Sequence, residues 1–289
     1  LYRRNKMALT TLWLTELVAA CKAEMETEFT YGAIGTGDST PAVGDTELDK
    51  EIFRDATDEF DDAPATSGIA SVRILTTEAN GNTLEEVGFF NAAASVIDDC
   101  ETADWTDSAD MTHTLNTTTY MEGEKSINLV KDAGAAALAT VHKSTTSADF
   151  TSNTFYIWIY IKDAAMYAKL AATDAIIIRF GSGAGDYYQY TRDNTDLTVG
   201  IWNRVAFTSA TADSTAGTPV PTACDYTYVG ITAAAAGTTW SAGDIMMDDI
   251  NVIGGSMWTR NTFTDITKTS DIQCYFDVQC TFNVTEDTS

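Results

Sequence analysis

The sequence predicts a mainly β protein: a small α+β base domain, split in sequence, that carries an inserted antiparallel β-sandwich of the jelly-roll kind. Three observations predict it. First, the stretch from about Ser95 to Gly254 breaks into segments of five to nine residues rich in β-branched and aromatic side chains, separated by Gly, Asp, Ser and Thr. That spacing is the signature of a sandwich. Second, strand-like segments flank this stretch on both sides, while helical periodicity is confined to the N-terminal region. Third, 289 residues with 44% hydrophobic content suffice for one large or two ordinary cores. The boundaries read from the sequence are 1–94 for the first part of the base, 95–254 for the insert and 255–289 for the closing strands.

The elements follow in order. Leu9, Leu12, Trp13, Glu16, Leu17, Ala20 and Cys21 keep an i, i+3, i+4 rhythm, which predicts an amphipathic helix over Leu9–Met25. The segment resembles a signal peptide, but Glu16 and three threonines interrupt its apolar run. No run reaches the roughly 18 apolar residues of a membrane span. Phe29–Ile34 reads as a strand, and the Gly- and Pro-rich residues 35–44 read as a long turn. Asp45 is placed to cap a short helix over Thr46–Arg54. After an Asp-rich loop come strands Ile69–Thr77 and Leu84–Asn91, joined through Asn80-Gly81. Asn-Gly is a hairpin signal because both residues tolerate positive φ. In the insert, strands are expected at Ser126–Lys131, Thr154–Lys162, Ala175–Phe180, Tyr187–Thr191, Asn203–Thr208 and Tyr226–Ala233.

The charge is lopsided, with 17 Lys+Arg against 42 Asp+Glu and a formal net charge of −25. Such a surface repels nucleic acid and anionic lipid, so neither nucleic-acid binding nor membrane insertion is expected. A high-salt habitat, where the Debye length falls to about 3 Å at 1 M, accounts for the acidity. Binding of divalent cations to an acidic surface is the alternative, and the scarcity of Lys beside plentiful Asp, Glu and Thr favours the first. The five cysteines form no CxxC pair, which excludes a zinc ribbon or a thioredoxin motif. They read as buried small apolar residues, with a Cys100–Cys224 disulfide as the alternative.

Two sets of motifs resemble known families. GTGDSTPAVGDTELDKEI (35–52), EVGFFNA (86–92) and MWTRNTFTDITKTSDIQCYFDVQCTFNV (257–284) resemble the small domains of tailed-virus structural proteins of the tail-fibre, collar and head-decoration (turret) kind. That resemblance implies a closing hairpin with its turn at Thr267–Asp271. DDCETADWT (98–106), EGEKSINL (122–129) and MMDDINVI (246–253) resemble the first, second and closing strands of jelly-roll carbohydrate-binding modules and their concanavalin-like relatives. This second resemblance implies a structural Ca²⁺ held by Asp99, Glu101, Asp248 and Asp249. The alternative is that these are solvated carboxylates at strand edges.

Period-two alternation places Tyr156, Trp158, Tyr160 and Lys162 on one face of their strand, opposite Phe155, Ile157, Ile159 and Ile161. Tyr188, Tyr190 and Arg192 alternate in the same way nearby. An exposed array of this kind stacks on sugar rings. The alternative is that a second sheet or a neighbouring subunit covers it. Catalytic signatures are poor: His113 and His142 lie in Thr/Ser-rich segments, and the glycine clusters lack a phosphate-loop Lys. No enzymatic role is expected. Asn116 and Asn283 open glycosylation sequons by pattern.

Together these features predict a virion surface protein, homo-oligomeric and bound to other capsid or tail proteins. Its insert would be displayed to host-surface glycans. The alternative is a secreted or cell-surface carbohydrate-binding protein.

Overall fold

The computed structural model describes residues 11–61, 67–76, 78–79, 81–108 and 110–281, with side chains from Glu16 onward. Helix α1 (Thr11–Glu28) leads into β1 (Tyr31–Gly35), β2 (Glu51–Ala56), β3 (Glu59–Asp61), β4 (Ser67–Ile74) and β5 (Thr83–Phe90). There follow β6 (Ser95–Asp98), β7 (Thr106–Asp107), β8 (Met111–Asn116), β9 (Ser126–Lys131), β10 (Leu138–Ala148) and β11 (Thr154–Ile161). A single helical turn, α2 (Ala164–Tyr167), precedes β12 (Ile176–Gly183), β13 (Asp186–Arg192), β14 (Trp202–Thr208), β15 (Ser214–Ala216), β16 (Cys224–Thr232) and β17 (Ile245–Ile253). The chain closes with β18 (Met257–Thr267) and β19 (Cys274–Thr281). The protein is mainly β, and all strand pairs among the described residues are antiparallel.

Four sheets result. In the base, a four-stranded sheet ordered β18-β5-β1-β2 stands beside a three-stranded sheet ordered β19-β4-β3. Both sheets therefore mix strands from before and after the insert. The sandwich has one sheet ordered β15-β13-β12-β16-β10-β7 and one ordered β14-β11-β17-β9-β8, with β6 also pairing to β17. Among the described residues no base strand pairs with a sandwich strand. The two chain crossings instead lie side by side. Asn91 Oδ1 accepts from Ser256 N at 2.8 Å, and Arg54 Nη1 donates to Ala92 O at 2.9 Å and Gly254 O at 2.8 Å. Arg54 is itself held by Glu51 through two 2.7 Å bonds and lies over the Phe90 ring.

The sandwich core follows from alternation. Phe155, Ile157, Ile159 and Ile161 on β11 meet Ile176, Ile178 and Phe180 on β12 and Val229 and Ile231 on β16. Each buried aliphatic side chain of this kind contributes about 1.5–3 kcal/mol. The base has its own cluster, with Ile34, Val72, Ile74, Val87, Phe89, Phe276 and Val278 between its two sheets. Gly32 is required there, because a Cβ at that position would lie 2.3 Å from Val72 Cβ.

Four expectations need correction. Residues 46–54 form no helix: the Asp49 and Lys50 N–H groups donate to Glu86 at 3.1 and 2.9 Å, and β2 begins at Glu51. Tertiary demand for those donors overrides a weak cap signal. β4 and β5 do not form a hairpin, although Gly81 does take positive φ. The two strands enter different sheets, and Gly81 N bonds Lys268 O instead. β18 and β19 likewise do not pair with each other, since they run on the edges of opposite base sheets. On α1 the buried residues are Val18, Lys22 and Met25, while Leu17 is 49% exposed. The helix thus packs through a stripe one position off the expected one. Leu9 lies outside the described residues, as do the side chains of Leu12 and Trp13.

All five cysteines are free thiols, so Cys100 and Cys224 are not bonded to each other. Among the described residues no helix is long and apolar enough to cross a membrane.

Candidate functional site

The residues expected to hold calcium do not form one donor set. Asp248 lies in buried β17 and accepts from Met121 N at 2.5 Å, Glu122 N at 3.2 Å and Asp249 N at 2.8 Å. Burial raises its carboxyl above the ordinary range. Asp249 sits at a bulge with φ +42, accepts from Tyr156 Oη at 3.2 Å and is hydrogen-bonded by Asn251 Nδ2. Burial pushes it up to about 7. Glu101 accepts from the Glu124 and Lys125 N–H groups at 2.6 and 2.9 Å, and exposed Asp99 accepts from Glu101 N at 3.1 Å. Backbone N–H groups thus hold the Asp248, Glu101 and Asp99 carboxylates in place. Among the described residues no three His, Cys, Asp or Glu side chains converge to hold a metal ion. The cation beside the first strand is an ammonium: Lys143 Nζ bonds both Asp98 and Asp104.

The expected aromatic array divides into three. Tyr156 and Trp158 are each only 2% exposed, because the base domain packs over this outer face of β11. Both belong to the base cluster with Val72 and Ile74, so they form an inter-domain contact and not an open platform. Tyr160 is half-buried at the rim of that contact, beside Trp202 at 5.4 Å between ring centroids. Tyr188 and Tyr190 face the interior of the sandwich. Tyr188 meets Phe150 edge-on at 5.5 Å, and Tyr190 stacks on Phe207 at 5.1 Å and 8°. Arg192 lies over the Tyr190 ring at 4.8 Å. On β13 the chosen face is one residue out of phase, which moves every side chain to the other side of the sheet.

The opposite phase of the same strand carries the open face. Register aligns Gln189, Arg179, Tyr228 and His142 in one row across β13, β12, β16 and β10. The adjacent row brings Tyr187, Gly181, Tyr226 and Ser144 together. These tyrosines, Arg179 and His142 are all half-exposed. The Arg179 guanidinium lies between two rings, 4.5 Å from the Tyr187 centroid and 4.3 Å from that of Tyr228. Its Nε donates to Gln189 Oε1 at 2.8 Å. Cation–π attraction on both sides holds it flat. His142 stands 6.0 Å from Tyr226. Burial raises the Tyr226 and Tyr228 phenols above their ordinary range, so both stay protonated at neutral pH. Gly230 leaves the floor low between Leu138, Tyr228 and Ile177, whose side-chain atoms a Cβ would approach at 3.0–3.4 Å.

These residues carried a signal in the sequence. Val229 and Ile231 must point inward, so Tyr226 and Tyr228 point out. Ile176, Ile178 and Phe180 set Arg179 outward by the same rule.

No family model and no curated protein matches the chain. Solved structures do show a distant likeness. A family 11 carbohydrate-binding module from Clostridium thermocellum, in complex with a beta-1,3-1,4-mixed-linked tetrasaccharide, is 13% identical with a TM-score of 0.40. The match covers 60% of this chain and 97% of that one. The CBM22-1 xylan-binding domain from Paenibacillus barcinonensis is 10% identical with a TM-score of 0.30, over 57% of this chain and 94% of that one. The likeness is one of β-sandwich fold.

Proposed function

We propose that the protein binds glycans through the face formed by β13, β12, β16 and β10. The carrying observation is Arg179 fixed between Tyr187 and Tyr228 on a half-exposed sheet. A sugar ring presents apolar C–H faces and a rim of hydroxyls. Tyrosine rings cover the first, while guanidinium, amide, imidazole and phenol groups meet the second. The face residues named carry no carboxylate in a chain of net charge −25, which suits a neutral or acidic saccharide. The role assigned to this face is binding, not catalysis.

A glycan array probed with the wild type and with Tyr228→Ala tests this reading. Signal on a defined set of glycans, lost in the variant, supports it. Equal signal from both proteins, or none from either, refutes it.

A second reading concerns display. Both crossings into the sandwich leave the base side by side at Arg54. We propose that the base is the anchoring part, as in a virion surface assembly of several copies. Immunogold labelling of purified particles with antibodies to residues 95–254 tests it. Label on the particles supports display on a virion, whereas label only on cell envelopes replaces it with a cell-surface role.

A further inference from the structure

Where the base meets the sandwich, a cleft of about 520 Å³ remains open. Its volume lies within the roughly 300–1,000 Å³ range of small-molecule sites. The sandwich contributes Trp158 as floor, Tyr160 and Trp202 as a tilted pair at 55°, and Tyr120. The base contributes Lys50 and Asn82.

The Trp158 indole N–H is buried out of reach of solvent, so the indole reports on an occupant of the cleft without bonding to it.

We infer that this cleft is a second saccharide site, taking one or two neutral sugar residues, separate from the tyrosine face and gripped by both domains at once. The aromatic pair supplies stacking surface, and Asn82, Tyr120, Lys50 and the neighbouring threonines supply hydrogen bonds to hydroxyls. The occupant is neutral because the cleft carries Lys50 and Glu85 together, so neither sign of ligand charge is favoured. The inference stands on this cleft's own chemistry and does not require the sheet face to bind anything. Because the ligand touches both domains, it stabilises their contact by mass action.

The test follows the indole N–H resonances by NMR in the full chain, with the Trp158 signal assigned through Trp158→Phe. The probes are cello-, xylo-, malto- and manno-tetraose, titrated into the millimolar range. At least one is expected to shift the Trp158 resonance and raise the melting temperature. Trp202→Ala, and independently the exposed-site variant Ile201→Ser, should weaken that response at least tenfold, while Arg179→Ala on the sheet face leaves it unchanged. Silence at Trp158 with all four sugars overturns the inference, and so does a shift abolished by Arg179→Ala yet untouched by Trp202→Ala and Ile201→Ser. Loss of array binding in the sheet-face variant with the Trp158 response intact separates the two sites. A Trp158 response without any sheet-face effect would sink the proposed function alone.

Discussion

The two sheets of the sandwich each carry aromatic residues on their outer faces, and the two faces meet opposite fates. On β11, Tyr156 and Trp158 are sealed under the base and share its hydrophobic cluster. On β13, β12 and β16, Tyr187, Arg179, Tyr226 and Tyr228 stay half-exposed and contact one another across the rows. Alternation along a strand gives the same signal in both places, because it reports which residues share a face and not what lies beyond that face. The difference teaches that a strand's aromatic stripe acquires a role only from its neighbour. Here the neighbour is a domain assembled from the two ends of the chain.

The contrast can be broken by mutation, and the covered face should respond most. Trp158→Ala removes a buried indole from the inter-domain contact and is expected to cost about 3–5 kcal/mol in denaturant unfolding. A loss under about 1 kcal/mol would mean that the base does not rest on this face in solution. Arg54→Met strips the partner from buried Glu51 and releases both chain crossings, with an expected cost of about 3 kcal/mol or more. Limited proteolysis should then cut at residues 91–94 or 254–256.

A pH scan sharpens the same comparison. Burial pushes Glu122, whose carboxylate accepts from the base's Ala79 N, up to about 8, and it pushes Asp249 up to about 7. A carboxyl raised above its unfolded value, about 4, stabilises most below that value. Its contribution is lost as pH rises through the folded value. The melting temperature is therefore expected to fall as pH rises from about 4 to about 8 and to level off above that. Glu122→Gln keeps an acceptor for Ala79 N and should flatten that fall without changing stability below about pH 4. An identical decline in the variant would show that Glu122 is not the group responsible. The smallest structural effect is expected on the open face: Tyr228→Ala should cost about 1 kcal/mol or less in stability.

Much of the fold was legible in the sequence for a definite reason. Strands β9, β11, β12, β13, β14 and β16 alternate apolar core residues with polar or aromatic ones, and the turns between them are rich in Gly and Asp. The base was harder to read. Asn80-Gly81 signals a hairpin locally, yet whether β4 and β5 pair is decided by β18 and β19, which lie almost 200 residues further along. Glu86 shows the same limit. It gathers the Gly37, Asp49 and Lys50 N–H groups and the Arg260 guanidinium, so a stretch with a helix-like start becomes an extended approach to β2.

The candidate site was legible in strand content but not in phase. In DYYQYTR (186–192), tyrosines occupy both faces, and only the partner strands β12 and β16, through their inward isoleucines and valine, settle which ones face out. The acidic motifs at 98–101 and 248–249 look like ligands in one dimension. In space they accept hydrogen bonds from backbone N–H groups and from Tyr156 and Asn251.

The deciding measurement is calorimetric titration of a glycan selected on the array, in the Trp202→Ala background so that binding at the inter-domain cleft is weakened. Adding Arg179→Ala is expected to weaken binding tenfold or more, about 1.4 kcal/mol or greater, with the melting temperature unchanged. Unchanged affinity in that variant, with the fold intact, would contradict it.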